Sequence, residues 1–231
     1  HRTWLDRRHL DTPMEKALDT ESMLLVKEKG LEHEAAHLVA LKNKGLHIVE
    51  IQAEELDEKV RLTTQAILEG VDVVFQATLR RGHLIGHADF LLKTNKKSSS
   101  GSWVYEVSDT KLSHHTKTKF LVQLCFYSDL LADITGELPE NIHVELGNGT
   151  CSTYRLNDYF AYYNKLLKDF QRSVEQHSAT PNTYPEPCKL CDMCPWRNQC
   201  DQQRLADDHL SQVANITKIQ IVKLAKVGVV T

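Results

Sequence analysis

The sequence lacks a long apolar run, a large excess of charge of either sign and any internal repeat. No segment approaches the roughly 18 consecutive apolar residues of a transmembrane helix, and no apolar leader is visible, so we expect a cytoplasmic protein without a membrane span. The 28 Lys and Arg residues are balanced by 31 Asp and Glu residues, for a net charge of -3. This balance argues against bulk attraction to nucleic acid, so any such contact must use local patches.

The apolar patterns predict an α/β protein. At 231 residues the chain is long enough for one buried core with an appendage. Runs of β-branched and aromatic residues predict strands, and amphipathic recurrences between them predict helices, so we expect a mixed sheet flanked by helices. The predicted strands are residues 47–52, 71–79, 84–93, 103–111, 142–146 and 152–156, and the predicted helices are 14–44, 54–69, 116–133 and 157–177.

Two aspartates and a lysine fall on two neighbouring predicted strands. Asp89 belongs to the first strand, and Asp109 and Lys111 belong to the second. Strand side chains alternate between faces, so Asp109 and Lys111 point the same way, whereas Glu106 points away and ranks as a second-line ligand. Two carboxylates suit Mg²⁺ or Mn²⁺, and a nearby lysine can orient a water and stabilise a transition state. The pattern indicates phosphodiester hydrolysis, which needs an activated water and a counter-charge.

A glutamine and a tyrosine follow on the next predicted helix. Gln123 and Tyr127 are four residues apart, so they share one helix face. From that face they could contact a phosphate or hold Lys111 in place.

These motifs, in this order, resemble the RecB-like branch of the PD-(D/E)XK nuclease superfamily over about residues 1–200. In that branch a histidine on an early helix precedes a Gly-x-x-Asp strand, an Asp-x-Lys strand and a Gln-x-x-x-Tyr helix. The early histidine corresponds to His33, which the resemblance implies as a metal ligand beside Asp89 and Asp109. It also implies a restriction-endonuclease-like fold and Mg²⁺- or Mn²⁺-dependent DNA cleavage, of the exonuclease type on single strands or ends.

The resemblance leaves a second function open, a non-catalytic DNA-binding module of a larger repair protein. It also implies that such chains continue into a helicase or ribonuclease-H-like domain.

Two further histidines have ordinary interpretations. His37 shares a helix face with His33 but has no evident third partner, and His87 has an equal claim to packing, to solvent or to the site.

Four cysteines crowd into thirteen residues near the end of the chain. Their spacing of two, two and five intervening residues is typical of thiolate ligands for one metal centre. Disulfides are the alternative, but the composition looks cytosolic, which disfavours them. Four thiolates suit either zinc or an iron–sulfur cluster. The four are Cys188, Cys191, Cys194 and Cys200.

The resemblance favours the cluster, because a subset of RecB-like nucleases carries a [4Fe–4S] cluster with three ligands after the nuclease core and one before it. Cys191, Cys194 and Cys200 match the downstream trio. Cys188 is then either the fourth ligand or a bystander, since no cysteine precedes Cys125 and an upstream ligand would lie outside this sequence. Cys125 and Cys151 are interpreted as ordinary buried thiols.

We therefore predict three regions along the chain. Residues 1–180 form the nuclease core, residues 181–203 form the Cys-rich iron–sulfur or zinc segment, and residues 204–231 form a helical tail. The tail resembles half of a helix-hairpin-helix element, although an ordinary amphipathic helix that ends at Gly228 is the favoured interpretation.

Overall fold

A computed structural model describes residues 1–176 and 183–229 of the chain. The described residues form seven α-helices and six β-strands, together with two short 3₁₀ turns at Cys191–Met193 and Leu210–Gln212. The helices are α1 (Arg2–Asp11), α2 (Glu21–Asn43), α3 (Leu56–Glu69), α4 (Thr118–Thr135), α5 (Asn157–Glu175), α6 (Arg197–Ala206) and α7 (Lys218–Lys226). The strands are β1 (Ile48–Glu50), β2 (Val73–Arg81), β3 (Leu84–Lys97), β4 (Trp103–Lys111), β5 (Asn141–Leu146) and β6 (Cys151–Arg155).

The six strands form one mixed sheet in the order β1-β2-β3-β4-β5-β6. β1 pairs in parallel with β2 and β4 pairs in parallel with β5, while the other three pairings are antiparallel. The parallel pairs are those joined through a helix, α3 or α4, because a parallel neighbour requires a crossover. The predicted α/β class with a mixed, helix-flanked sheet is confirmed.

The described chain divides into two compact units. One is residues 26–171, which hold the whole sheet, and the other combines residues 1–25 with residues 172–231. This division pairs the two ends of the chain, whereas the sequence predicted three consecutive regions. The predicted boundary between residues 180 and 181 lies outside the described residues.

Two core clusters fill the sheet-containing unit. The larger packs α3, α4 and α5 against the sheet and includes Ile67, Leu124 and Val107, each at most 1% exposed. The smaller joins α2 to β2 and β3 through residues such as Leu38 and Phe90. Burial of these apolar side chains is the main force that holds the helices to the sheet.

The long early helix begins later than the sequence predicts. α2 begins at Glu21 instead of Met14, and the Thr20 hydroxyl accepts a hydrogen bond of 3.3 Å from the Met23 amide, in the manner of an N-cap. The preceding extended segment has its own partner, because the Ala17 amide donates to the Pro195 carbonyl at 2.7 Å. The backbone before Thr20 therefore has a long-range partner in place of the intrahelical bonds that a helix from residue 14 would make.

None of the helices formed by the described residues combines the length and apolar character needed to cross a membrane.

Candidate active site

Asp89 lies where two strands of the sheet part. The β3–β4 ladder runs from Lys97 opposite Trp103 to Phe90 opposite Ser108, and beyond it β3 stays paired with β2 while β4 stays paired with β5. At this fork, one carboxylate oxygen of Asp89 accepts hydrogen bonds from the backbone amide and the hydroxyl of Thr110, each 2.8 Å long. The side chain thus bridges the strands where their backbones separate.

Asp109 and Lys111 stand on β4 beside Asp89. Asp109 is only 2% exposed, and the Lys111 ammonium group pairs with its carboxylate. Burial, the charge of Asp89 and a hydrogen bond between the two carboxyl groups raise the pKa of Asp109 to about 7, although Lys111 opposes the shift. The structure therefore brings Asp89, Asp109 and Lys111 together, which is the geometry that their spacing predicted.

Glu34 on α2 joins this group and was missed by the sequence analysis. It is 9% exposed, and burial and the charge of Asp89 raise the pKa of its carboxyl group, while a Gln76 hydrogen bond and the charge of Lys111 lower it. A signal for it did exist. Leu38 and Leu41, which are four and seven residues later, are buried against the sheet, so helical periodicity places Glu34 on the same inward face.

His33 and His37 contact β5 rather than the aspartates. The His33 Nε2 atom is 3.3 Å from the Glu145 carbonyl oxygen, and the His37 Nε2 atom is 3.9 Å from the Glu145 carboxylate. Burial lowers the pKa of His37, whose ring packs edge-on against Phe90 at 4.9 Å between centroids. Metal ligation by His33 stays a prediction, whereas the charge of Asp89 acts on both Glu34 and His37 of this helix.

Gln123 and Tyr127 lie on one face of α4, and the Gln123 side-chain amide donates a 2.7 Å hydrogen bond to the Tyr127 hydroxyl. Burial raises the pKa of Tyr127, and the charges of Asp109 and Asp89 add to the shift. The glycine of the Gly-x-x-Asp motif permits this arrangement, because a Cβ atom on Gly86 would lie 2.8 Å from the Tyr127 ring. Close packing of α4 on β3 thus brings Tyr127 beside the two aspartates.

Three lysines surround one ring next to the site. The ammonium groups of Lys111, Lys117 and Lys119 lie 5.6, 6.0 and 5.6 Å from the centroid of the Phe120 ring. Attraction to the ring face holds positive charge there despite mutual repulsion. These three lysines therefore form a local basic patch next to Asp109.

Glu106 is engaged elsewhere, as its position in the strand predicts. Its carboxylate accepts hydrogen bonds from His143 at 2.8 Å and from the Asn141 backbone and side chain at 3.1 and 3.0 Å. Although burial acts in the opposite direction, these hydrogen bonds lower the pKa of Glu106. The structure gives no support to its second-line role as a ligand.

The four clustered cysteines line one cavity in the other compact unit, which we call the cysteine cavity. Its volume is about 620 Å³. The sulfurs of Cys188 and Cys191 are 3.8 Å apart, and the Cys188 amide donates to the Cys191 sulfur at 3.3 Å. Burial raises the pKa of Cys200, while the charge of Arg204, which also lines the cavity, lowers it. All six cysteines of the chain are free thiols.

The two remaining cysteines differ from each other. Cys125 is fully buried in the larger core cluster, as predicted. The prediction that Cys151 is also buried was wrong, because Cys151 is exposed. β6, to which Cys151 belongs, is an edge strand with alternating exposure. The sequence does not tell an edge strand from a central one, so it does not show which strand face is covered.

Within residues 1–176 and 183–229, no set of three or more His, Cys, Asp or Glu side chains is arranged to hold a metal ion. In the carboxylate site, the Lys111 ammonium group forms an ion pair with the Asp109 carboxylate. The chemistry of the donors nevertheless fits a hard divalent cation, because Asp109 is buried beside a second carboxylate, Asp89, whose charge raises the pKa of Asp109. A cation between the two carboxylates would offset this repulsion.

Comparison with protein families agrees with the geometry. A model of the PD-(D/E)XK nuclease superfamily matches residues 3–201, which include every residue of the carboxylate site and all four clustered cysteines. A search of the curated proteins found no significant match. Because the match covers most of the chain, the sheet is of the restriction-endonuclease-like type and the chain belongs to the PD-(D/E)XK nuclease superfamily.

Proposed function

We propose that the protein is a metal-dependent DNA nuclease of the RecB-like branch that hydrolyses phosphodiester bonds, working as an exonuclease on single strands or ends. The observation that carries this proposal is the meeting of Asp89, Asp109 and Lys111 at the fork between β3 and β4. The half-buried carboxylate of Asp89, the buried carboxylate of Asp109 and one amine at a single point match what cleavage of a phosphodiester needs.

Three carboxylates are proposed to hold the ion. Glu34, Asp89 and Asp109 share one electrostatic environment, since the charge of Asp89 acts on both of the others. Mg²⁺ or Mn²⁺ bound by oxygen ligands would supply an activated water and a counter-charge for the phosphate. His33, one helical position away from Glu34, is retained as a further candidate ligand.

Lys111 is proposed to act on the attacking water and on the developing negative charge. In the structure its ammonium group pairs with Asp109, so it lies at the proposed metal site, where it could stabilise negative charge. Gln123 and Tyr127 support this arrangement from α4. Lys117 and Lys119, beside the same Phe120 ring, are proposed to contact neighbouring phosphates of the strand.

The cysteine cavity is proposed to hold a [4Fe–4S] cluster, with zinc as the alternative. Cys191, Cys194 and Cys200 are the primary ligands, and Cys188 is proposed as the fourth because it lines the same cavity and lies in sulfur contact with Cys191. The role of such a centre is structural, since a metal held by thiolates stabilises the fold around it.

The test is cleavage of an end-labelled single strand and of a plasmid with Mg²⁺ or Mn²⁺, using wild type, Asp109→Ala and Lys111→Ala. Loss of at least about a thousandfold in rate is expected for both variants, because each removes transition-state stabilisation. Glu34→Ala should also lose activity. Glu32→Ala, an exposed change two residues away on the same helix, should not.

Equal traces of cleavage in wild type and in both variants would reject the enzyme. The protein would then be the other function that the sequence left open, a DNA-binding module in which the fold survives without catalysis. Binding of the labelled strand by a protein that does not cut it would identify that case.

A further inference from the structure

Gln76, in the middle of β2, has an unusual backbone. Its φ angle is 56°, in the left-handed region that L side chains rarely adopt. The other described non-glycine residues with positive φ are Asp208 and Asn215, and short Asp and Asn side chains tolerate this region best. A glutamine in this conformation inside a strand is held there by its surroundings.

The position of Gln76 in the sheet is directly across from Asp89. The neighbouring rungs of the β2–β3 ladder fix this register on both sides, so no other residue of β2 can face Asp89. Those rungs are Phe75 with Phe90 and Ala77 with Ala88.

Both strands change face at this rung. Val74 and Ala77 both belong to the larger core cluster, although residues three apart in a regular strand point to opposite faces. Ala88 and Leu91 show the same break on β3. The exchange of faces is a local distortion of the kind a bulge produces. It leaves the Asp89 side chain aimed along the sheet toward Thr110.

The side chain of Gln76 reaches the same site from the other direction. Its amide nitrogen donates a hydrogen bond to the Glu34 carboxylate. Glu34 is buried, so the position of its carboxylate depends on the hydrogen bond from Gln76. One residue thus contacts one proposed ligand through its side chain and faces the other through its backbone.

We propose that Gln76 is a positioning residue that assembles the metal site: its left-handed backbone turns Asp89 into the fork, and its amide fixes Glu34 beside it. This inference rests on the proposed metal-dependent cleavage and assigns the site a device that neither the motifs nor the family match identifies. Gln76 itself need not touch the ion or the DNA.

The test uses Gln76→Gly and Gln76→Ala, with Asn215→Gly as the matched control because Asn215 has φ of 61° far along the sequence. Glycine adopts positive φ without steric cost, which offsets part of the lost hydrogen bond to the buried Glu34, so Gln76→Gly should melt within a few degrees of wild type. Its kcat should nevertheless fall by about tenfold or more while KM for the strand stays within about twofold, the signature of lost positioning. Gln76→Ala should lose as much kcat and melt lower.

Titration of Mn²⁺ without DNA gives an independent readout. The Kd for Mn²⁺ should rise by about tenfold in both Gln76 variants, as for loss of a group that orients a metal ligand, and should not change in Asn215→Gly. Wild-type kcat and Mn²⁺ affinity in Gln76→Gly would overturn the inference. So would losses that merely follow a drop in melting temperature in both variants.

The two levels of proposal fail differently. If Asp109→Ala cuts DNA as well as wild type does, the proposed function is wrong. If Asp109→Ala is inactive and Gln76→Gly is fully active, only the role of Gln76 is wrong. If no preparation cleaves, the Mn²⁺ titration decides, since unchanged affinity in Gln76→Gly rejects the inference on its own.

Discussion

The carboxylate site and the cysteine cavity are organised in opposite ways. Asp89 and Asp109 stand on hydrogen-bonded strands, and Asp109 is almost fully buried with Lys111 against it. The clustered cysteines stand on a 3₁₀ turn, the start of a short helix and the segments between them, and none is buried. The first group keeps its geometry through the sheet, whereas the second has little regular structure to hold it.

The two sites differ in the interactions that hold their side chains in place. In the carboxylate site the fold forces like charges together, so the site is assembled at some cost to stability. In the unit that holds the cysteine cavity, order comes from a few anchors. The fully buried Trp196 donates a 2.7 Å hydrogen bond to Asp6, and Arg204 donates to the Pro185 carbonyl. The centre proposed for the cysteine cavity would add to that order, because metal binding is coupled to folding.

The largest effect on stability is expected from Cys194→Ser. An anaerobic preparation of the wild type should be brown, with broad absorption near ~400 nm, and the variant should lose the colour and several degrees of melting temperature because metal binding is coupled to folding. Iron and sulfide analysis with thermal melts measures both. Cys151→Ser is the matched control, since that exposed thiol is outside the cavity.

If the wild type is colourless and contains stoichiometric zinc, the centre is zinc and not an iron–sulfur cluster. The contrast between the two sites would still hold. Unchanged metal content and melting temperature in Cys194→Ser would contradict this contrast between the sites, because the cysteine cavity would then keep its structure without the proposed ligand.

A medium effect is expected from Gly86→Ala, which tests the packing of the carboxylate site. The added methyl group would lie 2.8 Å from the Tyr127 ring and 3.1 Å from Leu130, so α4 must shift, at a cost of about 1–3 kcal/mol in the free energy of unfolding. The rate of cleavage should fall too, because Tyr127 moves. Gly30→Ala is the control, since a Cβ atom there meets nothing within 4 Å and helix propensity improves.

Urea unfolding of both variants, together with the cleavage rate of each, measures this prediction. If Gly86→Ala and wild type have the same free energy of unfolding and the same cleavage rate, α4 adapts freely to the added methyl group. The sheet would then not hold the carboxylate site rigidly.

The smallest effect is expected from pH acting on Asp109. The folded-state pKa is raised to about 7, so between about pH 4 and 7 the native state binds more protons than the unfolded state, and the free energy of unfolding falls as pH rises. Asp109→Asn should remove this slope and gain on the order of 1 kcal/mol at pH 8 without added metal, after allowance for the lost pairing with Lys111.

Urea titrations at pH 5 and pH 8 in the presence of a chelator provide the measurement, with Glu32→Gln as an exposed control. An identical pH slope in wild type and Asp109→Asn would contradict the claim that the carboxylate site is held together against repulsion.

Several elements of the site were predictable because they depend on local periodicity. The strands that carry Asp89, Asp109 and Lys111 follow from runs of β-branched residues, and the shared side of Gln123 and Tyr127 follows from the helical repeat. The structure confirms these elements to within a few residues, as in α4, which begins at Thr118 and ends at Thr135.

Other elements were beyond local reasoning. Regular alternation predicts neither the exchange of faces at Gln76 nor the turn of Asp89 into the fork. Glu34 looked like one more charged residue on a long helix, and Cys151 looked buried. Residues 12–20 are not helical, and the Ala17 amide there donates to a carbonyl in the Cys-rich segment, a long-range partner that local periodicity does not show.

The sequence by itself determined the order of strands and helices, the residue types of the candidate site and the clustering of four thiols, because each is set by neighbours within a few positions along the chain. Tertiary structure alone decided that Glu34 joins the aspartates, that β3 and β4 part at Asp89, and that β6 leaves Cys151 exposed at an edge. Helical periodicity places Glu34 on the inward face of α2, but it does not show what that face meets. Like the parting of β3 and β4 and the edge position of β6, this depends on which elements pack against each other across long stretches of chain.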